Sequence, residues 1–227
     1  MTERAHRVFK DRLYQQFARI GKTLGNPHRL ELLDLLAQGE RTIDALAGES
    51  GLSLANASQH LQALREAGLV ESRKQGLFVH CRLADPTVFE LCRSVRTVAE
   101  RRLAQLERLV RDHFGDRSRP KPMPMNELIE RVRTGEVVIL DTRPAHEFAA
   151  GHIAGALSVP VAELRRRLGK LAKSKEYVAY CRGRYCSYAD RAVELLVDQL
   201  LELVLFDISW QGNIFHNFIE NLRLPAC

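Results

Sequence analysis

The sequence predicts two domains of different class: a mainly helical domain, then an α/β domain with a mainly parallel sheet. Three observations predict it. The chain has 227 residues, which suits two domains of about 100 residues better than one. Apolar residues recur at helical spacing in the first half, then give way to short apolar runs alternating with helical stretches. Between them lies Gly115-Asp116-Arg117-Ser118-Arg119-Pro120-Lys121-Pro122-Met123-Pro124, whose prolines deny helix and favour an extended spacer. The expected limits are residues 1–114, a linker at 115–124, and residues 125–227.

Taken in order, the first helix is expected near 5–24. The second runs from Pro27 to Ala37, with Asn26 as N-cap and proline at the first helical position. A third, Thr42 to Glu49, stops at Gly51; a fourth, Leu54 to Ala67, is capped by Ser53 and stops at Gly68. Residues 69–73 and 77–83 read as strands joined by Lys74-Gln75-Gly76, a hairpin. Pro86 opens a long helix to about Phe114, with Val88, Cys92, Val95, Ala99, Leu103, Leu106 and Val110 on one stripe. Downstream, residues 137–140, 177–180 and 203–206 read as buried parallel strands, with helices near 125–134, 161–171 and 187–201.

Composition narrows the function classes. No run approaches the ~20 apolar residues that cross a bilayer, and the amino terminus is charged where a secretory signal would be apolar. A cytoplasmic protein is expected, with no membrane partner. Residues 1–114 hold 18 Lys and Arg against 14 Asp and Glu, while 125–227 hold 13 of each; the basic half suits phosphate contact. The five cysteines, Cys81, Cys92, Cys181, Cys186 and Cys227, are odd in number without secretory features, which argues against a disulfide framework. Cys81 and Cys92 fall within apolar patterns and read as core, with sulfur acceptor or redox partner as the alternative.

A helix, a glycine turn, a second helix and a basic hairpin together make a winged helix-turn-helix. On the fourth helix Leu54, Leu61 and Leu64 share one face, while Asn56, Gln59 and His60 point elsewhere. Amide side chains read adenine edges, and Arg65, Arg73 and Lys74 can meet phosphates. The competing reading makes those polar residues solvated surface. Asn26-Pro27-His28-Arg29-Leu30, then Ser58-Gln59-His60-Leu61 with Leu64-Arg65-Glu66-Ala67-Gly68-Leu69-Val70, resembles the ArsR/SmtB family of winged-helix repressors over roughly residues 10–110. The resemblance implies a homodimer built from the terminal helices, a recognition helix at 53–67 that includes Ser53 and Ser58, and a wing at 69–83. It also implies repression at an inverted repeat in double-stranded DNA, released by an inducer. Metal-responsive members often carry a cysteine pair before the recognition helix. Here Thr42-Ile43-Asp44-Ala45-Leu46 has no thiol, and Glu107, Asp112 and His113 lack ligand spacing, so no metal or other cofactor is expected.

The second half delivers Tyr177-Val178-Ala179-Tyr180 into Cys181-Arg182-Gly183-Arg184-Tyr185-Cys186, with Ser187 opening a helix. A cysteine between a strand end and a helix start meets backbone N–H groups and the positive end of a helix dipole. Arg182 and Arg184 add charge that favours thiolate and attracts an anion. Val138-Ile139-Leu140-Asp141-Thr142-Arg143 with Glu147-Phe148, then Gly151-His152-Ile153-Ala154-Gly155-Ala156 and Val159-Pro160, is similar to the amino-terminal signature of the rhodanese family. That resemblance covers most of 125–224 and implies that Cys181 accepts a sulfane sulfur from thiosulfate or a persulfide. Gly183, Tyr185 and Ser187 would line the substrate loop, and Asp141, Arg143, Glu147 and His152 would support it. Related phosphatases and arsenate reductases use a loop one residue longer, so sulfur is favoured over arsenate or phosphate. Cys186 departs from the family's usual loop end. It either packs under the loop or attacks a persulfide on Cys181, giving a disulfide.

The function expected from these readings is a DNA-binding transcriptional regulator, a repressor, that senses or transfers reactive sulfur through Cys181. Two alternatives stay open. One is a rhodanese-type sulfurtransferase that uses the winged helix for dimerisation; the other is a Cys181/Cys186 thiol–disulfide sensor.

Overall fold

Helix starts fall where short polar side chains can satisfy the first free N–H groups. The computed structural model describes residues 3–114, 125–167, 169, 171, 172, 175–182, 185, 186, 188, 191, 195 and 203–206. Asn26 accepts from the Arg29 N–H at 3.1 Å and opens α2 (Pro27–Ala37). Thr42 accepts from Ala45 N–H at 3.2 Å and opens α3 (Ile43–Ser50), and Ser53 accepts from Asn56 N–H at 3.3 Å and opens α4 (Leu54–Glu66). Gly51, at φ 66°, ends α3 in the left-handed region that glycine tolerates best.

The chain divides into two compact units, Met1–Arg96 and Thr97–Cys227. The first holds α1 (Glu3–Leu24), α2, β1 (Arg41–Thr42), α3, α4, β2 (Val70–Gln75) and β3 (Phe78–Leu83), and most of α5 (Pro86–Arg102). The hairpin β2–β3 is antiparallel, with Lys74 opposite Val79, and Gly76 turns it at φ 60°. β1, too short to leave a periodic signal, pairs with β3 and makes a three-stranded sheet in the order β1-β3-β2. Leu32, Leu33, Leu36, Leu46, Leu61 and Leu64 form the core with Leu69, Val70, Cys81 and Val88. Arg41 is buried and donates to Leu35 O (3.2 Å) and Glu49 (2.9 Å), fixing β1 between α2 and α3. By contrast, α1 is exposed from Glu3 to Arg19, including Phe9 (57 %), Tyr14 (65 %) and Phe17 (59 %).

The second unit holds α6 (Ala104–Phe114), α7 (Met125–Arg133), β4 (Val137–Asp141), α8 (Ala145–Ala150), β5 (Leu157–Ser158), α9 (Val161–Arg167), β6 (Glu176–Tyr180) and β7 (Leu203–Phe206). Its sheet is parallel throughout, in the order β5-β4-β6-β7. Leu140, Val159, Val161, Leu164, Tyr177 and Ala179 pack one buried cluster beside it.

The fold is therefore a winged helix-turn-helix followed by an α/β region with a parallel sheet, as the periodicities predict. Details differ. The long helix expected from 86 to 114 is broken between Arg102 and Ala104. There Leu106 N–H bonds Leu103 O, a tighter turn, and Leu103 is itself exposed, so no packing across it opposes the break. The helix expected at 161–171 stops at Arg167. Tyr188, Arg191 and Leu195 are helical, as expected for 187–201, but the rest of that stretch, the 115–124 linker, Trp210 and Cys227 lie outside the described residues. No helix among the described residues is long and apolar enough to cross a membrane.

Candidate functional site

Two constellations were expected, one in each unit. In the first, α4 buries Ala57, Leu61 and Leu64 and turns Asn56 and Gln59 to solvent. Ser53 spends its hydroxyl on the N-cap, and Ser58 is half-buried. His60 is half-buried, its ring 5.4 Å from that of His28. Burial, then His28 and Arg29, hold it below the ordinary histidine range, so its imidazole is neutral at neutral pH. Arg65 donates to Ser72 Oγ (3.0 Å) and to Gln62, bracing α4 against β2.

The wing carries a countercharge that the sequence did not announce. Glu40 accepts from Arg73 Nη2 at 2.5 Å and Nε at 3.2 Å, and lies 3.3 Å from His80 Nδ1. Arg73 and His80 face each other across β2 and β3. The Arg73 hydrogen bond holds the Glu40 carboxyl below its usual range. Lys74 is exposed and makes no ion pair among the described residues. Glu40 sits in a three-residue gap before a two-residue strand, where neither periodicity nor a cap marks it.

In the second unit, parallel pairing brings the carboxyl ends of β4 and β6 side by side, with Asp141 opposite Tyr180. Ligands of open parallel sheets bind at that edge. Asp141 is fully buried and accepts from Arg143 Nε (3.0 Å), Arg143 Nη2 (2.7 Å), the Arg143 backbone N–H (2.9 Å) and the Tyr180 hydroxyl (2.6 Å). Arg143 Nη2 also donates to Gly151 O at 2.7 Å. Burial and the Asp141 charge raise the Tyr180 phenol well above its ordinary range, so it remains a hydroxyl donor. Thr142 Oγ1 donates to Tyr180 O at 2.8 Å, pinning the strand end next to Cys181. Tyr180 and Thr142 were missed because their roles depend on strand register, which the sequence does not display.

Cys181 follows β6 directly. Only 3 % of it is exposed, and its Sγ donates to Cys186 O at 3.8 Å. Arg182 does not stand free over the loop: Nε donates to both carboxylate oxygens of Glu147 at 3.0 and 3.1 Å, and Nη2 reaches the same group. Glu147 is 0 % exposed, so Arg182 is its compensating charge, and the guanidinium also lies 5.2 Å from the Tyr188 ring. Cys186 is half-buried. Its thiol is hydrogen-bonded to Cys181 and flanked by the Tyr188 and Arg182 backbone N–H groups. Together these lower it, against the cost of burial, to about 7.

Tyr185 donates its hydroxyl to Glu100 of the same unit at 2.7 Å. His152 stacks on Phe148 at 3.6 Å, with Nδ1 2.9 Å from Phe148 O, at the end of α8. Gly183, Arg184 and Ser187 lie outside the described residues. Burial raises the Cys81 thiol, and burial with Asp34 raises that of Cys92 to about 11. Both are core thiols, protonated at neutral pH.

A helix-turn-helix beside a paired wing, on one chain with a cysteine at the carboxyl edge of a parallel sheet, defines a winged-helix DNA-binding regulator fused to an α/β domain with a parallel sheet. Residues 26–72 match the pattern described as "Bacterial regulatory protein, arsR family", and residues 124–210 match "Rhodanese-like domain". The chain is 43 % identical over 205 residues to HTH-type transcriptional regulator Rv0324 of Mycobacterium tuberculosis, covering 89 % of this chain and 90 % of that protein. It is 32 % identical over 83 residues to the biofilm growth-associated repressor of Xylella fastidiosa, covering 37 % of this chain and 73 % of that one. Among solved structures, the homodimeric winged helix-turn-helix DNA-binding domain (fragment 1-100) of Mb0332 from Mycobacterium bovis is 43 % identical. That match covers 46 % of this chain and 93 % of that one, with a TM-score of 0.41. The chain belongs to the ArsR family of transcriptional regulators and carries a rhodanese-like domain.

Proposed function

We propose that the protein is a cytoplasmic, homodimeric repressor that binds an inverted repeat through α4 and its wing, and that sulfane sulfur taken up on Cys181 lowers its affinity for DNA. On this reading residues 1–114 bind DNA and dimerise, 115–124 link, and 125–227 take the signal. Asn56, Gln59 and His60 face base edges, with Ser53 and Ser58 beside them; Arg65, Arg73 and Lys74 lie towards the backbone. Asp141, Arg143, Glu147 and His152 hold the sulfur site in shape.

The observation that carries the reading is the placement of Cys181. It directly follows a central strand of a parallel sheet, whose end is pinned by Thr142 and Tyr180, and the next residue is locked to buried Glu147. A nucleophile held this way loses little entropy when it attacks. The exposed apolar positions of α1, with Val95 and Val98 of α5, support dimerisation through terminal helices.

The test uses the reduced full-length protein and a genomic DNA fragment that it retains. Treatment with thiosulfate, or with glutathione hydropersulfide, should add one sulfur mass to Cys181 and weaken retention of the fragment. Cys181→Ser should retain DNA but not respond. No added sulfur together with unchanged DNA affinity overturns the proposal.

A further inference from the structure

The loop places a second thiol against the first. Cys181 is buried, and its sulfur points at the carbonyl of Cys186, while the half-buried Cys186 thiol is itself in hydrogen-bonding contact with Cys181. The Arg182 charge and the backbone N–H groups of Arg182 and Tyr188 favour the charged form of the Cys186 sulfur. Convergent donors around one sulfur stabilise it as an anion. A packing residue under a loop would need none of them.

We infer that Cys186 is the resolving nucleophile for a persulfide on Cys181, so that the domain reduces hydropersulfides to sulfide and closes a Cys181–Cys186 disulfide. The inference rests on the reading that Cys181 accepts sulfane sulfur. In the first step the Cys181 thiolate attacks the outer sulfur of a donor R–S–SH. The donor S–S bond breaks, RS⁻ leaves with the electron pair, and Cys181 carries S–SH. In the second step the Cys186 thiolate attacks Cys181 Sγ. The bond from Sγ to the outer sulfur breaks, HS⁻ leaves with that pair, and the two cysteines are joined. The outer sulfur is reduced to sulfide and two thiols become one disulfide, so the persulfide is the only oxidant required. An external dithiol reverses the disulfide and completes the cycle.

The lowered Cys186 thiol is consistent with this order of events, because a thiol with a pKa near ambient pH combines a large thiolate fraction with good nucleophilicity.

The experiment treats the reduced full chain with glutathione hydropersulfide, removes the excess, and follows intact mass, peptide mass and released sulfide. Wild type should release about one equivalent of sulfide per chain and lose two hydrogens, with Cys181 and Cys186 found in one linked peptide. Cys186→Ser and Cys186→Ala should instead keep one added sulfur on Cys181, and Cys181→Ser should do neither. Peptide mapping of the wild type needs no variant, so it stands even where a substitution disturbs folding. If wild type keeps the added sulfur as Cys186→Ser does, resolution by Cys186 is overturned while sulfur uptake stands. If neither wild type nor Cys186→Ser gains sulfur, uptake on Cys181 fails and the inference falls with it.

Discussion

The Cys186 sulfur is held by contacts that favour its charged form, whereas the Cys92 sulfur is held by contacts that oppose it. Thiolate is the reactive species, so reaction with iodoacetamide should separate the two. Cys186 labelling should rise with pH through about 7 and fall away below it, while Cys92, raised to about 11, should stay unlabelled until the protein is unfolded. Peptide mass spectrometry across a pH series reads both. Arg182, in the same loop, pairs with Glu147 of α8. Glu147 is fully buried and Arg182 only slightly exposed, so Glu147→Ala leaves a guanidinium without its carboxylate and should cost about 3 kcal/mol of stability, measurable as a lower denaturant midpoint. Cys181 and Arg182 could be named from the sequence because a polar loop after an apolar strand stands out, whereas Glu147 came only with the rhodanese resemblance. Tyr180 could not, since a tyrosine inside an apolar run looks like core until strand register sets it opposite Asp141.

At the scale of elements, caps and glycines were the dependable signals. Asn26 and Ser53 each close the hydrogen bond that their side chains allow, while Thr42, read as the first residue of its helix, is instead its cap. The two-residue strands β1 and β5 escaped because an alternating pattern needs four or more residues to be seen. The cost of missing β1 was Glu40, the residue just before it, which occupies Arg73. On the proposed reading, in which Arg73 meets the DNA backbone, a carboxylate there would compete with phosphate for the same guanidinium. Glu40→Gln should therefore bind DNA more tightly and steepen the salt dependence, while Lys74→Ala should weaken binding and flatten it by about 0.9 in log–log slope. Fluorescence anisotropy over a salt series tests both. Equal slopes for both variants and wild type would remove the wing from the backbone contacts.

At the scale of the whole molecule, the change in periodicity near residue 115 conveyed two classes of architecture, and both are present. It could not convey what covers α1, because an apolar stripe reads the same whether its partner is the chain's own core or another copy. Phe9 and Phe17 lie two helical turns apart and are both more than half exposed. Phe17→Glu should hence halve the mass seen by analytical ultracentrifugation and, by splitting the two half-site readers, abolish retention of an inverted repeat at concentrations where wild type binds. A dimeric mass for that variant would place the interface elsewhere. If α1 pairs two copies as proposed, its bare face would also tie the lifetime of the chain to its own abundance. Pairing stabilises a folded chain by mass action, so newly made copies below the dimerisation threshold are the ones that proteases and chaperones find first. A cell with few copies would then hold fewer still, and the proposed repression would begin only once synthesis had carried the pool past that threshold.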